Sequence, residues 1–450
     1  MRTGIKTLTR KALNQLKRPS LLYRGIPKHT FPDKPTSHIK MKAKLYGLES
    51  ELKQRNIEYN LGSLYTLPHP QTTQVYKRFI DYNPGNLGSW SDDETQTYAT
   101  TKMEYEVIHD LIDLYNGNQE KLSGYITSGG TEGNIFSVWL GRSYLEQYCK
   151  PNEICLLKTS LTHYSVRKAG QLCNVPQFLI PLNKTEWNID IQGFDSSIQN
   201  LYDQGYRGFI IPLTFGYTST GTCDDIELIT QKADKLKRKL KGIELFFWID
   251  AALNGLITPF LDKDFHPFQS PYIQAFLVDF HKFGLVPYPA GIILYQKQLK
   301  KLIEQPIDYL AETDSTLLGS RPGIPAVSIW TMIHSLGKNG YKGLIEEEKE
   351  NKEYFLEQIT SVLPKTEIVT HSHSLSCGLI FHGLKSARLP QWIEEKYGLY
   401  PGKTKLLFFP NEKREEIIYK CFFLPHMKKK IITNFISDLE KSAIYSNNAL

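Results

Sequence analysis

The sequence has few cysteines, and their spacing argues against two kinds of cysteine site. None of the six cysteines forms a CxxC pair, which is the usual spacing in thiolate zinc sites and redox motifs. No signal-peptide segment precedes them, so the disulfide framework of a secreted protein is not expected. We therefore expect reduced thiols, no metal ion and a cytoplasmic location.

Long apolar stretches are also missing. No run approaches the length that a transmembrane helix needs, so we expect a soluble or at most peripheral protein. Gly and Pro are scattered without a period, which excludes a collagen-like chain. Apolar residues still make up 41% of the 450 positions, enough for a sizeable core. The length predicts one large domain and one smaller one.

Acidic residues are absent from positions 1–32, which carry eight Lys and Arg residues. Since the net charge is +7, the rest of the chain is nearly neutral, unlike a nucleic-acid-binding domain. We interpret the segment as a basic tail or as an arm that clasps a second subunit. Its weakly amphipathic pattern leaves an organelle presequence at 1–30 as the alternative.

From about residue 100 the sequence alternates between strand-like and helix-like segments. Short apolar runs predict strands at 124–127, 209–212, 245–250, 275–280 and 291–295. Helical periodicity is present at 107–115, 132–148 and 226–240. Alternating strands and helices predict an α/β domain with a mainly parallel sheet.

The other segments predict a different organisation at the two ends. Residues 1–75 are interrupted by prolines and predict an arm with one helix around 41–56. After residue 325, helices at 326–336, 341–360 and 427–442, with strands near 366–382, predict a smaller α+β domain. The predicted domains are therefore 1–75, 76–325 and 326–450.

The segment TSGGTEGN (127–134) follows a strand and opens a helix. Glycine lets the backbone approach a ligand closely, and free amides at a helix N-terminus bind phosphate. These properties make Ser128, Gly129, Gly130 and Thr131 candidate phosphate-binding residues. The segment is neither a Walker loop nor a dinucleotide fingerprint, and alone it would also be typical of a tight turn.

Two buried strands end near charged residues. Asp250 closes one apolar run, and Lys282 follows another. Ligands of open α/β sheets bind at the carboxyl ends of strands, where burial and nearby cations would make a lysine a better nucleophile. A helix N-cap aspartate and a snorkelling surface lysine are the alternatives. His163, in THYSVRK, could stack on a flat ring or be a core histidine.

Together these features match the requirements of pyridoxal phosphate. The glycine-rich helix start would hold the phosphate, and Lys282 would form an imine with the aldehyde. Asp250 would keep the ring nitrogen protonated, so that the ring can act as an electron sink. His163 would stack on the ring.

The same segments resemble the group II pyridoxal-phosphate-dependent amino-acid decarboxylases, in particular the histidine and serine decarboxylase branch. The VPYPAG run (286–291) is more similar to tyrosine or aspartate decarboxylases. The resemblance extends from about residue 80 to the end. It rests on TSGGTEGN (127–134), THYSVRKA (162–169), GYTSTGTCDDI (216–226), IDAALNGLITPF (249–260), FHKFG (280–284) and IDYLAETDSTLLGSRPG (307–323).

The resemblance implies a transferase of fold type I, with a mainly parallel seven-stranded sheet in the large domain and a smaller C-terminal α+β domain. It also implies a homodimer whose active sites lie at the subunit interface. Lys282 would carry the Schiff base and Asp250 would pair with the ring nitrogen. Ala252 would pack on the ring face opposite His163.

Further site residues are implied by the same resemblance. His281 would join the phosphate site, and Thr218 would lie near the ring. Ser320 and Arg321 would reach the cofactor of the neighbouring subunit. Tyr309 lies in a stretch that resembles a mobile region and is a candidate for protonating the product carbanion.

Three departures from the family pattern are visible. Trp248 stands where the family usually has His, and Tyr217 replaces a Thr. Asp279 and Phe280 stand where small residues are commoner, and an inward-pointing Asp279 would repel a phosphate.

The implied activity is decarboxylation of an L-amino acid to its amine, with histidine as the first candidate and serine as the second. Tyrosine and aspartate are also open. One alternative is a pyridoxal-phosphate-dependent carbon–carbon lyase, which would need an additional basic cluster for a phosphorylated substrate. The other is a non-catalytic cofactor-binding homologue that acts as an interaction protein.

Overall fold

The computed structural model describes residues 31–54, 60–64, 66–88, 99–309 and 312–447. The chain divides into two units, Met1–Asn56 and Ile57–Leu450. In the first unit the described residues form helix α1, His38–Gln54, near the position predicted. The predicted tail, arm or presequence at 1–30 lies outside the described residues.

The second unit contains the alternating strands and helices that the sequence predicts. Its helices are α2 (Pro70–Phe79), α3 (Ala99–Leu114), α4 (Gly130–Leu145), α5 (Tyr164–Leu172), α6 (Ile191–Asp203), α7 (Ile226–Lys239), α8 (Thr258–Leu261), α9 (Ile324–Val362), α10 (Gln391–Tyr397) and α11 (Lys429–Asn447). Its strands are β1 (Gly85–Leu87), β2 (Leu122–Thr127), β3 (Ile154–Lys158), β4 (Gln177–Leu179), β5 (Gly208–Thr214), β6 (Glu244–Asp250), β7 (Ile273–Asp279), β8 (Gly291–Gln296), β9 (Gln305–Ile307), β10 (Glu312–Asp314), β11 (Ser320–Pro322), β12 (Thr366–Thr370), β13 (Ser376–Phe381), β14 (Gly402–Phe408) and β15 (Glu412–Phe422).

A seven-stranded sheet in the order β2-β8-β7-β6-β5-β3-β4 forms the centre of this unit. Only β8 runs antiparallel to its neighbours. Strands β5 and β7 are buried along their whole length, as expected for strands covered on both faces. The predicted α/β class with a mainly parallel sheet is confirmed.

The sheet brings the predicted site segments to one edge. Strands β6 and β7 are parallel neighbours, with Asp250 in register with Leu277. Because the carboxyl ends of parallel neighbours lie at the same edge, Asp250 and the turn after β7 are close together. Helix α4 begins directly after β2, at the same edge, and packs across the sheet with Phe136, Val138 and Leu140 in a buried cluster.

The C-terminal part is an antiparallel four-stranded sheet in the order β12-β13-β15-β14, with α9, α10 and α11. The two helices predicted at 326–336 and 341–360 are parts of α9, where Gly337 has a positive φ of 58°. The predicted boundaries at residues 75 and 325 stay predictions. Within the described ranges, no helix has the length and apolarity of a membrane span.

Candidate active site

A cavity of about 500 Å³ lies at the carboxyl edge of the seven-stranded sheet. Ten of the predicted site residues line it, from five separate segments of the chain. They are Ser128, Gly129, Gly130, Thr131, His163, Thr218, Asp250, Ala252, His281 and Lys282.

The start of α4 forms a close-fitting cradle on one side of the cavity. Gly129 has a φ of 134°, and a Cβ atom there would lie 2.8 Å from Cε1 of His281. Only glycine fits this position, because both the backbone conformation and the space exclude a side chain. The amides of Gly130 and Thr131, the first residues of α4, have no acceptor within the helix and suit an anion.

Lys282 follows β7 in the turn that leads to β8. Its Nζ lies 3.1 Å from Oδ2 of Asp279, and its side chain is 16% exposed. The Thr66 hydroxyl donates to the Lys282 carbonyl oxygen at 2.6 Å. The amine is therefore held in the cavity by a carboxylate, and its backbone is fixed by a segment from the start of the unit.

Asp250 is 5% exposed, and both of its oxygens accept hydrogen bonds. Oδ1 accepts the amide of Ala252 at 3.2 Å, and Oδ2 accepts Nδ2 of Asn134 at 2.8 Å. Each carboxylate oxygen can accept more than one hydrogen bond. The group can therefore receive a further N–H donor, such as a protonated ring nitrogen.

Two histidines border the cavity, and burial lowers the pKa of both His163 and His281. His163 caps the N-terminus of α5, and its Nδ1 lies 2.7 Å from the Ser165 hydroxyl. Nδ1 of His281 lies 2.9 Å from the carbonyl oxygen of Ala290, so it carries the proton and donates. Burial therefore favours the neutral form of both rings.

Three predicted site residues do not line the cavity of their own chain. Tyr309 is 86% exposed, and Ser320 is exposed as well. The Arg321 guanidinium is buried and donates to Oε1 of Glu104 at 2.6 Å and to the carbonyl of Ile126 at 2.8 Å. The role of Ser320 and Arg321 at a neighbouring subunit and the role of Tyr309 in protonating the product carbanion stay predictions.

Sequence reasoning did not identify several lining residues. Asn134 lies within the glycine-rich motif, and Tyr288 lies within VPYPAG, but neither was assigned a role. Other lining residues carry no local signal, because they reach the cavity only through the tertiary fold. The additional lining residues are Gly62, Ser63, Leu64, Asn134, Tyr164, Thr214, Gly216, Leu253, Asp279 and Tyr288.

These groups fit pyridoxal phosphate. The glycine cradle and the amides of α4 suit its phosphate, and the open acceptor capacity of Asp250 suits its ring nitrogen. The Lys282 amine suits its aldehyde. One wall provides the flat His163 ring, and Ala252 lies beside Gly130, whose Cβ position would be 3.3 Å from the Ala252 Cβ.

The family described as the pyridoxal-dependent decarboxylase conserved domain matches residues 93–385, and this chain belongs to that family. The chain is thus a pyridoxal-phosphate-dependent enzyme that decarboxylates an amino acid. The predicted family, cofactor and enzyme class are confirmed.

Curated relatives differ in their substrates. A tryptophan decarboxylase of Clostridium sporogenes is 28% identical over 81% of this chain and 85% of its own length. An L-aspartate/L-glutamate decarboxylase of Pyrococcus horikoshii is 32% identical over 71% of this chain and 80% of its own length. A histidine decarboxylase of Vibrio anguillarum is 29% identical over 64% of this chain and 72% of its own length.

Solved structures with the same fold include L-methionine decarboxylase from Streptomyces sp. 590, with a TM-score of 0.78, 17% identity, and coverage of 92% of this chain and 96% of that one. Sphingosine-1-phosphate lyase from Burkholderia pseudomallei has a TM-score of 0.71, 15% identity and 96% coverage of both chains. The predicted fold type I architecture is confirmed. The fold alone does not separate decarboxylases from lyases.

Proposed function

We propose that this chain decarboxylates an L-amino acid whose side chain carries no negative charge, with histidine as the first candidate and serine as the second. The observation that carries the proposal is the charge of the cavity. Lys282 is the only Lys or Arg among the described residues that line it. Since Lys282 is needed for the cofactor, the acidic side chain of aspartate or glutamate would find no cation to pair with among these lining residues of its own chain.

Two aromatic rings favour a flat substrate side chain. Tyr164 and Tyr288 both line the cavity and are 58% and 49% exposed. The Tyr288 ring also packs on His281, with centroids 4.0 Å apart. Such rings can stack on an imidazole or another aromatic group. A phosphorylated amine, the substrate class of the lyase alternative, would lack a second cationic partner here.

In the proposed reaction each residue has a defined task. Bound pyridoxal phosphate supplies the electron sink for the electron pair left when carbon dioxide departs. Lys282 would hold the cofactor covalently, and the Asp250 carboxylate would accept a hydrogen bond from its ring nitrogen. His163 would cover one face of the ring, and the start of α4 would hold the phosphate.

The test is carbon dioxide release by the pyridoxal-phosphate-loaded protein with each of the twenty L-amino acids. We expect release from histidine or from another amino acid without an acidic side chain. Release from aspartate or glutamate at the highest rate would refute the substrate proposal. Silence with all twenty, despite covalent attachment of the cofactor, would instead support the lyase or non-catalytic alternative.

Lys282→Ala tests the covalent role. After borohydride reduction of the loaded protein, mass spectrometry should find the cofactor on the peptide containing Lys282 and no attachment in the variant. Carbon dioxide release should also be lost. Lys232→Ala is the matched control, since Lys232 pairs with Asp195 on the surface, and it should retain both properties.

Three further expectations remain proposals. We propose a homodimer with shared active sites, a cytoplasmic location and domains at 1–75, 76–325 and 326–450. The resemblance of GSRPG to a segment that reaches a neighbouring subunit supports the dimer. Analytical ultracentrifugation of the loaded protein would test it, and a single monomeric species would refute it.

A further inference from the structure

A chain of four hydrogen bonds connects Trp248 to the two cofactor-facing side chains. The indole N–H of Trp248 donates to Oδ1 of Asn134 at 2.9 Å. Nδ2 of Asn134 donates to Oδ2 of Asp250 at 2.8 Å and to Oγ of Ser165 at 2.9 Å. Ser165 Oγ lies 2.7 Å from Nδ1 of His163. Trp248, Asn134 and Ser165 are all at most 1% exposed, so water does not replace these partners.

The direction of each hydrogen bond follows from Trp248. An indole nitrogen can only donate, so the atom of Asn134 that faces it must be the carbonyl oxygen. Rotating the amide by 180° would bring two donors together at Trp248 and two acceptors together at Asp250. The amide orientation, which is often ambiguous in proteins, is therefore determined here.

The same reasoning extends to His163. Ser165 Oγ accepts a hydrogen from Asn134, so the single hydroxyl hydrogen of Ser165 is available for His163 Nδ1. The Ser165 amide also faces Nδ1, at 3.5 Å. The backbone amide can only donate, so Nδ1 accepts and is the unprotonated nitrogen, to which the Ser165 hydroxyl can donate as well. Because burial lowers the pKa of His163, the ring is neutral and its proton is on Nε2.

We propose that Trp248, Asn134 and Ser165 are positioning residues that orient the Asp250 carboxylate and hold His163 as the neutral tautomer protonated at Nε2. His163 then offers an N–H donor at Nε2 and no free acceptor. The role of the tautomer in turnover rests on the proposed function, but the tautomer itself exists in the protein without substrate. The tryptophan at position 248, where the family usually has His, thus supplies an N–H donor that fixes the orientation of the Asn134 amide.

Nitrogen NMR of the full-length protein with ¹⁵N-labelled histidine rings tests the tautomer directly. The His163 signals are assigned by their loss in His163→Gln. We expect an unprotonated Nδ1 and a protonated Nε2 in the parent, and a mixture of tautomers in Ser165→Ala. A protonated Nδ1 in the parent, or an unchanged pattern in Ser165→Ala, would overturn the proposal.

Two substitutions at Trp248 test the positioning of Asp250. Trp248→Phe keeps an aromatic ring but removes the donor, so the buried carbonyl oxygen of Asn134 loses its partner and the amide is held only through Nδ2. Affinity for pyridoxal phosphate, measured by fluorescence titration, should fall by roughly tenfold, which corresponds to the loss of about one buried hydrogen bond. Trp248→His returns an N–H donor and should recover most of that loss.

Equal affinities in the Phe and His variants would show that Trp248 acts only through packing and would overturn its assigned role. If both Trp248 variants fail to fold, the Ser165→Ala spectrum still decides the proposal. These readouts need no turnover. The absence of decarboxylation would therefore count against the proposed function while leaving the tautomer measurement valid.

Discussion

Asp279→Asn should lower the free energy of unfolding of the cofactor-free protein. It should also increase the stabilisation that the protein gains when it binds the cofactor. Asp279 is 3% exposed, and its Oδ2 lies 3.1 Å from Nζ of Lys282. At an effective dielectric constant of about 20, two charges at this distance attract by about 5 kcal/mol. Removing one partner of a buried pair typically costs ~3–5 kcal/mol. Asparagine still offers an acceptor, so we expect a loss of about 3 kcal/mol in the free energy of unfolding.

The corresponding change in melting temperature can be derived from the size of the unit Ile57–Leu450. Roughly 400 residues at ~2.1 cal/mol/K each give an unfolding entropy of about 0.8 kcal/mol/K. A loss of about 3 kcal/mol then lowers the melting temperature of the cofactor-free protein by about 4 °C. Calorimetry of the parent and the variant would measure it.

Binding of the cofactor should stabilise Asp279→Asn more than it stabilises the parent. A Cβ atom on Gly130 would lie 3.1 Å from Oδ2 of Asp279, so the carboxylate borders the proposed phosphate site. A phosphate monoester carries about −1.5 to −2 charges near neutral pH, and the carboxylate repels it. The rise in melting temperature on adding pyridoxal phosphate should therefore be larger in Asp279→Asn than in the parent.

Glu244→Gln is the matched control for this experiment. Oε2 of Glu244 pairs with Nζ of Lys237 at 2.8 Å, and neither residue lines the cavity. This variant should lower the melting temperature equally with and without the cofactor. An unchanged melting temperature of cofactor-free Asp279→Asn, or a smaller cofactor-induced rise than in the parent, would refute the reasoning.

Three other substitutions have defined outcomes. Gly129→Ala should reduce affinity for pyridoxal phosphate at least tenfold in fluorescence titration, because the new Cβ would meet the ring of His281 in a strained conformation. Tyr217→Phe should cost about 1–2 kcal/mol in chemical unfolding, since the hydroxyl donates to Asp224, without altering cofactor affinity. Burial raises the pKa of Glu348 from 4.5 to about 8, so the folded state binds a proton that the unfolded state has released, and stability falls as pH rises through this range. Glu348→Gln should remove this pH dependence, and above pH 8 its free energy of unfolding should exceed that of the parent by up to about 5 kcal/mol. Parallel pH profiles of the unfolding free energy in the two proteins would contradict the raised pKa of Glu348.

The sequence was sufficient to predict those site residues that lie at strand ends and helix starts. Asp250 and Lys282 close apolar runs, and parallel strands bring their carboxyl ends to one edge. The glycine-rich segment likewise predicts the start of α4. These features depend on local periodicity and on one general rule of α/β sheets, so a single sequence reveals them.

Other site features depend on contacts between distant segments. The Asn134–Trp248 hydrogen bond joins residues 114 positions apart. The sequence around neither residue contains a local pattern that predicts this contact. Similarly, the sequence does not show whether Tyr217 or Thr218 faces the cavity, because the turn after β5 has no regular period. The sequence does not predict strands β14 and β15, because β14 begins with GKTK and β15 with five charged residues.

The three departures from the family pattern have separate structural explanations. Tyr217 points away from the cavity and bonds Asp224, whereas Trp248 supports the amide that orients the ring-facing carboxylate. Asp279 pairs with the lysine amine. None of them replaces Asp250, His163 or Lys282, and two of them, Trp248 and Asp279, act on the groups proposed to bind the ring and its aldehyde. The departures therefore alter how Asp250 and Lys282 are held and leave the cofactor chemistry in place.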